Sequence, residues 1–556
     1  MKKILLFVVL FTSLANAQSK KKKRLAEEKA NKEIVSNLQQ HVQFLADDKL
    51  EGRRAGTKGE QLALDYIVSQ YGLIGLEPKG KNGFLQPFEI NEGKQIDPST
   101  KLFINEKELV LTKDYFPLAN SAQKTVKGNP AMALNERAQP WFKDLKELLE
   151  ENKTNPHFDM DETIKKEATS VSSKGATALF VYNSSNITDN IQFNKNEKSG
   201  ELPIPVIYIT KAGYQSYFSD NAASLQVALQ VSISERKRTA TNIIGYINNN
   251  AANTIVLGAH YDHLGFGEDK NALDTGRVIH NGADDNASGT AALIELTKLL
   301  KKGAPKNNNY LIIHFSAEEL GLFGSKYWLD NPTTAITPNY MLNMDMVGRY
   351  DTAHKLNIGG YGTSPAWGEY FSSNTNQQLS SKATQQLMIK LDSSGSGPSD
   401  HASFYRKDIP VLFFFTGSHP DYHKATDDWE KINYEGEKNI VQMIYQLITA
   451  MDTKGKLAFT KTREQQGGRG DKFTVSLGVI PDYGYSGTGM RIDGVSPGKL
   501  AEKAGLKAGD VLLQLGEFKF VDVMSYMTSL GKFKKGDSTT LRIMRGTEEK
   551  TFNVQF

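Results

Sequence analysis

His260 and Asp262 stand two residues apart, after the run Thr254–Ile255–Val256–Leu257–Gly258–Ala259. The run is apolar and β-branched, which reads as a strand buried in an α/β sheet. Residues two apart in extended chain point the same way. An imidazole and a carboxylate therefore emerge together at the carboxyl end of a strand, where open α/β sheets take ligands. Four more places have this character. Asp284 and Asp285 lie in the stretch from Gly282 to Gly289, just ahead of a helical run that begins at Thr290. Glu318 and Glu319 follow Ser316–Ala317, Asp345 sits between Met344 and Met346, and His423 follows Tyr422. Imidazoles and carboxylates are the donors of a zinc site that uses no thiolate. Two zincs about 3.5–4 Å apart need a carboxylate shared between them.

Singly, each place has an ordinary reading. Asp284–Asp285 suits a helix start, and Glu318–Glu319 suits a solvated surface. His260 alone suits a satisfied core histidine. Asp345 resists such a reading, because an acid inside an apolar strand is costly unless paired or metal-bound. The ordinary readings fail together, since independent strand ends each supply a ligand type.

The elements that would position these residues alternate. Strands are predicted at Thr241–Tyr246, Thr254–Leu257, Tyr310–Phe315 and Met341–Met344, with helices at Thr290–Leu300 and Ile440–Met451. Such alternation predicts a mainly parallel mixed sheet flanked by helices. Upstream, helices are expected near Lys32–Leu45 and Lys58–Tyr71, joined by a turn-rich stretch through Gly52–Arg53–Arg54–Ala55–Gly56. Residues 97–238 change character. Short β-like runs (Leu102–Ile104, Leu109–Leu111, Ala178–Tyr182, Pro205–Ile209, Leu225–Ile233) alternate with helical pieces such as Trp141–Glu150, so this stretch reads as a domain inserted into the main one. Residues 456–471 contain a polar, glycine-rich segment (Thr462–Asp471) and read as a linker. Residues 472–556 form a compact tail.

At 556 residues the chain exceeds one ordinary domain. Lys2–Lys3, the apolar stretch Ile4–Phe11 and Ala15–Asn16–Ala17 have the order of a secretory signal peptide over residues 1–17. Export to the periplasm or the medium is expected. Seven of the 67 Lys and Arg residues fall in the first 24 positions, which hold no acid, leaving 60 basic against 63 acidic residues. Nucleic-acid binding has no support in this balance. No later stretch is long and apolar enough for a transmembrane helix. The chain has no cysteine, which excludes disulfides, thiolate metal sites and a lipid-anchored cysteine after the leader.

In this order and spacing, AHYDHLG, NGADDNASG, SAEELGLFGS, NMDMVG and YHKATDD resemble the M28 family of co-catalytic zinc peptidases. LADDKLEGRRAGTKGEQLALDYI resembles that family's amino-terminal region. The resemblance implies a zinc-exopeptidase fold over residues 18–96 and 239–455, with two Zn²⁺ ions per chain. His260 and Asp345 would bind one zinc, Glu319 and His423 the other, and Asp285 would bridge them. Glu318 would be the general base. Asp262 would hydrogen-bond the far nitrogen of His260, and Tyr422 would stabilise the tetrahedral oxyanion. His263, Asp284, Asp400 and His401 receive no ligand role, and for Asp400–His401 both a supporting and a substrate-side role stay open.

The insert, through Lys174–Tyr182 and Ile204–Ile209, resembles a protease-associated (PA) domain. The tail, with Ser476–Leu477–Gly478–Val479 at the carboxylate-binding loop and the run from Gly494 to Leu512, resembles a PDZ domain. Such a domain takes a peptide or a protein carboxyl terminus along a strand edge; a packing module without a free groove is the other reading. The activity implied is an exopeptidase acting on peptides, foremost an aminopeptidase. The alternatives are a carboxypeptidase or dipeptidase of the same family, a glutaminyl cyclase, and a non-catalytic peptide-binding receptor.

Overall fold

The computed structural model describes the chain except residues 1, 154–157, 190, 196, 198, 219–223, 269–270, 275, 304, 352–354, 376–386, 463–474, 482–487, 496–498 and 522. It divides into two compact units, residues 1–90 with 238–468 and residues 91–237 with 469–556.

The first unit is built on a nine-stranded sheet. Its centre is the strand Asn253–His260, which pairs in parallel with Asn308–Phe315 on one side and Pro338–Met344 on the other. Val411–Phe415 extends the parallel set beyond Pro338–Met344. The outer strands Ile233–Ile247 and Leu356–Gly359 are antiparallel to their inner neighbours. The sheet is therefore mixed, with a parallel middle.

Alternation along the strands divides the core. Ile255, Leu257, Tyr310, Ile312, Leu342 and Phe414 face a cluster shared with the helices Lys58–Ile74, Gly289–Lys302 and Tyr434–Met451 and with the end of Lys2–Leu45. Val256, Leu311, Ile313, Phe315, Met341 and Val411 face the other layer, where Trp328, Phe404 and Tyr405 pack. Each side chain points to the face opposite its neighbour's, so a continuous apolar run covers both sides of a buried sheet.

The helices begin where local chemistry allows. Thr57 caps Lys58–Ile74 through the amide of Glu60, and Gly75, at φ +74°, ends it. Asn433 caps Tyr434–Met451 through the amide of Gly436. Among the described residues no helix is long and apolar enough to cross a membrane.

In the second unit, residues 91–237 hold two four-stranded sheets. One orders Lys107–Glu108, Lys101–Ile104, Val227–Gln230 and Thr125–Gly128, and the other Tyr115–Pro117, Val206–Ile209, Leu179–Tyr182 and Trp141–Asp144. Three expectations are corrected here. Trp141–Glu150 is not one helix: Trp141–Asp144 is a strand parallel to Leu179–Tyr182, and the helix starts at Lys146. Leu109–Leu111 is not a strand; the pairing falls on Lys107–Glu108 instead. Leu225–Ile233 divides into Val227–Gln230 and the start of Ile233–Ile247.

The tail is a six-stranded sheet with the helices Leu500–Lys503 and Val523–Leu530, around Leu477, Ile492, Leu512, Leu515, Leu541 and Ile543. Of the expected linker, residues up to Thr462 pack on the first unit. Leu457 is buried, its amide donates to Asn339 Oδ1 (2.7 Å), and Thr462 Oγ1 bonds the Tyr405 hydroxyl (3.0 Å). The rest of that linker lies outside the described residues.

Candidate metal centre

Four parallel strands bring the acids and imidazoles together. His260 closes Asn253–His260, Glu318 and Glu319 follow Phe315, Asp345 follows Met344, and His423 lies in the loop after Phe415. Because these strands run the same way, their carboxyl ends share one edge of the sheet. Asp285 arrives from the turn Ala283–Ser288, which opens the helix Gly289–Lys302. That helix approaches the strand ends closely at Gly289. A Cβ there would stand 2.2 Å from Asn286 Oδ1 and 2.4 Å from the Met344 carbonyl oxygen.

Asp285 lies between two imidazoles. Its Oδ1 is 3.4 Å from His260 Nε2, and its Oδ2 is 3.2 Å from His423 Nε2. Asp345 Oδ1 approaches His260 Nε2 at 3.3 Å, and Glu319 Oε2 approaches His423 Nε2 at 3.4 Å. Each imidazole spends its other nitrogen on the main chain. Nδ1 of His260 donates to the carbonyl of Asp262 (3.2 Å), and Nδ1 of His423 to the carbonyl of Asn271 (2.9 Å). With Nδ1 carrying the hydrogen, a neutral ring turns a bare Nε2 lone pair toward the carboxylates. Lone pair facing anion is repulsive, and a cation between them reverses the sign.

Charge in the pocket follows the same logic. Burial disfavours a charged His260, but Asp345 and Glu318, helped by Asp262 and Asp285, outweigh it and hold its pKa well above the ordinary value. Burial likewise opposes a charged His423, yet Glu319 and Asp285 push its pKa up to about 11. The pocket thus draws positive charge to these two nitrogens. Asp285 is held well below the carboxylate range, since bonds to His260 and His423 overcome its burial. Burial raises Glu318 well above the usual value, and Glu319, Asp345 and Asp400 add to the effect. Glu318 Oε2 stands 3.9 Å from His260 Nε2. Tyr422 stacks on His423 with ring centroids 3.8 Å apart, and burial beside these carboxylates keeps its hydroxyl protonated.

Asp262 sits otherwise than expected. Its Oδ1 is 3.7 Å from His260 Nδ1, which bonds the Asp262 carbonyl instead, while the same oxygen accepts from the amide of Glu318 (3.1 Å). The carboxylate therefore fixes the loop that carries Glu318 and Glu319. The main chain near the centre is also held in an uncommon conformation. Ala317, Met346 and His423 have φ of +56°, +55° and +56°, which non-glycine residues keep only where surrounding contacts demand it.

Three residues given no role at the sequence level belong to this assembly. His263 Nδ1 lies 2.7 Å from Glu319 Oε1, and His263, Asp285 and Glu319 can present one donor atom each to a single ion, as can His260, Asp285 and Asp345. Asn286 staples two strand ends, its Nδ2 donating to the carbonyls of Met344 (3.1 Å) and His260 (3.3 Å). Asp427 Oδ2 accepts from the amides of Asp284 (2.9 Å) and Asp285 (3.1 Å). The spacing of His263 after His260 was a signal for the first; main-chain contacts leave none for the other two. Asp400 and His401 are buried, and burial raises the Asp400 carboxyl to about 7.

Residues 242–448 match the profile of peptidase family M28, and residues 465–556 match that of the PDZ domain. The chain carries an M28 peptidase domain. Every residue of the centre lies within that match. An aminopeptidase of Bacillus subtilis, YwaD, is 27% identical over 305 residues, covering 52% of this chain and 59% of that protein. The chain thus spans under two thirds of that relative's length. Among solved structures, a zinc aminopeptidase from Bacillus subtilis aligns at 20% identity with a TM-score of 0.41, over 78% of this chain and 96% of that one. An aminopeptidase from Aneurinibacillus sp. strain AM-1 aligns at 20% identity with a TM-score of 0.40, over 77% and 95%.

Proposed function

We propose that this chain is an exported two-zinc aminopeptidase that releases amino-terminal residues from peptides. The observation that carries the reading is the placing of one carboxylate, Asp285, between the Nε2 atoms of His260 and His423, with both Nδ1 atoms committed to carbonyls. The donor set suits zinc, being imidazole nitrogen and carboxylate oxygen without sulfur. Asp345 Oδ1 is buried without a hydrogen-bond partner among the described residues, an expense that a cation removes. His260 and Asp345 would hold one ion, Glu319 and His423 the other, with Asp285 shared. His263 then serves as the hydrogen-bond donor that orients Glu319.

When bound, paired zinc ions polarise a scissile carbonyl and make water acidic enough to attack at neutral pH. Glu318 takes the proton from the attacking water at its carboxylate and returns it to the leaving amine nitrogen; burial raises its pKa, which favours holding that proton between the two steps. The Tyr422 hydroxyl donates to the carbonyl oxygen as charge grows there. Asp262 keeps Glu318 in place through the amide of that residue.

The aminopeptidase names of the relatives support the choice of amino-terminal cleavage. The leader pattern over residues 1–17 supports export to the periplasm or the medium. In the same reading, residues 18–96 and 239–455 form the catalytic domain together with the packed stretch 456–462, 97–238 a PA-like insert and 472–556 the PDZ domain, whose strand edge would take a peptide or protein carboxyl terminus.

Elemental analysis of the purified protein, with hydrolysis of matched free and N-acetylated peptides, tests the proposal. Two zincs per chain and cleavage of the free peptides alone are expected. One zinc with full activity would remove the shared role of Asp285, and equal cleavage of acetylated peptides would remove the aminopeptidase reading.

A further inference from the structure

The side chain of Arg53 is among the largest that are wholly buried. Its hydrogen bonds among the described residues end on main-chain carbonyls. Nε donates to Tyr261 (3.0 Å), Nη1 to Asn281 (2.6 Å) and Leu45 (2.5 Å), and Nη2 to Gly282 (3.0 Å). The Tyr261 carbonyl lies between His260 and Asp262 in the chain. Asn281 and Gly282 lead directly into the turn that carries Asp284 and Asp285. One rigid guanidinium therefore ties the end of the central strand to the start of the turn.

The main chain of the same residue adds a second hold. The amide of His263 donates to the Arg53 carbonyl (3.2 Å), and the amide of Gly265 to that of Gly52 (3.0 Å). Arg53 itself has φ +48°, a conformation a non-glycine residue keeps only where its surroundings impose it. Burial pushes its pKa down to about 10, against the field of Asp285, Asp262, Asp427 and Glu319, so it is charged at neutral pH. A buried cation so close to the centre, with its donors on carbonyls, has a different task from an ordinary ion pair. The fork of a guanidinium has fixed donor directions, which an ammonium lacks.

We propose that Arg53 is a positioning residue of the metal centre: it sets the separation between the strand end that carries His260 and the turn that carries Asp285. The inference rests on the reading that this centre holds zinc. Asp285 can serve two ions only while its two oxygens stay opposite two imidazoles. A shift of the turn relative to the strand would spoil the shared position before it spoiled the fold.

The test uses the full-length protein and its Arg53→Lys and Arg53→Gln variants. Folding is followed by circular dichroism and melting, zinc affinity by competition with a chromophoric chelator, and kcat and KM with a chromogenic amino-acid amide. Both variants should fold and hold zinc about 10–100-fold more weakly, as loss of groups that orient metal ligands does. Their kcat should fall while KM stays near that of the wild type. Lysine keeps the charge without the fork, so Arg53→Lys should restore neither affinity nor kcat. Affinity and kcat within twofold of wild type in both variants would overturn the inference. So would full restoration by lysine, or failure of both variants to fold, which would make Arg53 a general framework residue. A wild-type protein that takes up no zinc would overturn the metal reading and this inference with it. Unchanged variants beside a zinc-loaded wild type would overturn this inference alone.

Discussion

Glu318 and Glu319 are adjacent acids in one loop, and the surroundings separate their work. Glu319 meets two imidazoles, Nδ1 of His263 at 2.7 Å and Nε2 of His423 at 3.4 Å. Burial opposes its charge, but these contacts hold its pKa at about 2. Glu318 approaches one imidazole only at 3.9 Å and is pushed the other way. A carboxylate held charged suits a ligand, and one whose pKa is raised, so that it holds a proton more readily, suits a base. Glu318→Gln should therefore keep the zinc and the melting temperature while kcat falls by about 10²–10⁴-fold. Glu319→Gln should lose zinc and activity together. Metal content, melting and kinetics on one amide substrate decide between them; zinc loss in Glu318→Gln alone would move the ligand role by one residue.

Among the elements, the strand Asn308–Phe315 carries a buried histidine away from the proposed metal ligands. His314 lies between the Tyr71 hydroxyl (2.8 Å from Nδ1) and the Thr290 carbonyl (3.3 Å from Nε2). The carbonyl must accept from Nε2, and in a neutral ring Nδ1 then accepts from the Tyr71 hydroxyl. Burial lowers its pKa from 6.5 to about 3. Below pH 6.5 the unfolded chain takes up a proton that the folded chain refuses. The stability tied to this group is full above that pH and declines as pH falls toward 3, by up to about 1.4 kcal/mol per pH unit. Denaturant unfolding at several pH values should show this slope in the wild type and a shallower one in His314→Gln. Parallel curves would mean that His314 is not held neutral.

Elements such as this strand were legible because their apolar runs are unbroken. Trp141–Glu150 was not. Its apolar spacing suits a helix, but Trp141 and Phe142 enter different clusters on the two faces of a sheet, and pairing with Leu179–Tyr182 prevails over local preference. The centre divides in the same way. His260, Glu318, Glu319 and Asp345 stand in short motifs at strand ends, and Asp285 and His423 in short motifs of a turn and a loop, which a linear reading can find. Arg53 and Asn286 act through the carbonyls of distant residues, and nothing in the local sequence identifies the carbonyl that a side chain will meet.

At the scale of the molecule, the packing around Thr462 fixes where the chain can be shortened. Its amide donates to the Tyr405 hydroxyl (3.0 Å), and its Oγ1 accepts from the amide of Gly395 (3.1 Å). Phe459 packs beside Tyr405 with ring centroids 5.7 Å apart. The first unit extends to Gly468, so a chain ending there keeps these contacts. Within the second unit, the tail meets residues 91–237 through an ion pair between Lys519 and Asp159 (3.1 Å), with both side chains 47% exposed. An exposed pair contributes about 0–1 kcal/mol, so its loss is a small matter for the insert. A chain ending at Gly468 should fold and cleave small chromogenic amides at a rate close to that of the full chain. A chain ending at Lys461 should melt earlier, because Tyr405 and Gly395 lose partners worth about 0.5–1.5 kcal/mol each. If the PDZ groove recruits substrate, the Gly468 chain should also show a raised KM on long peptides with an unchanged kcat on small amides. Melting curves and kinetics on both substrates, for all three chains, separate these effects. Loss of small-amide activity at Gly468 would show that the tail belongs to the catalytic machinery, and equal melting of the two shortened chains would remove the role given to Thr462.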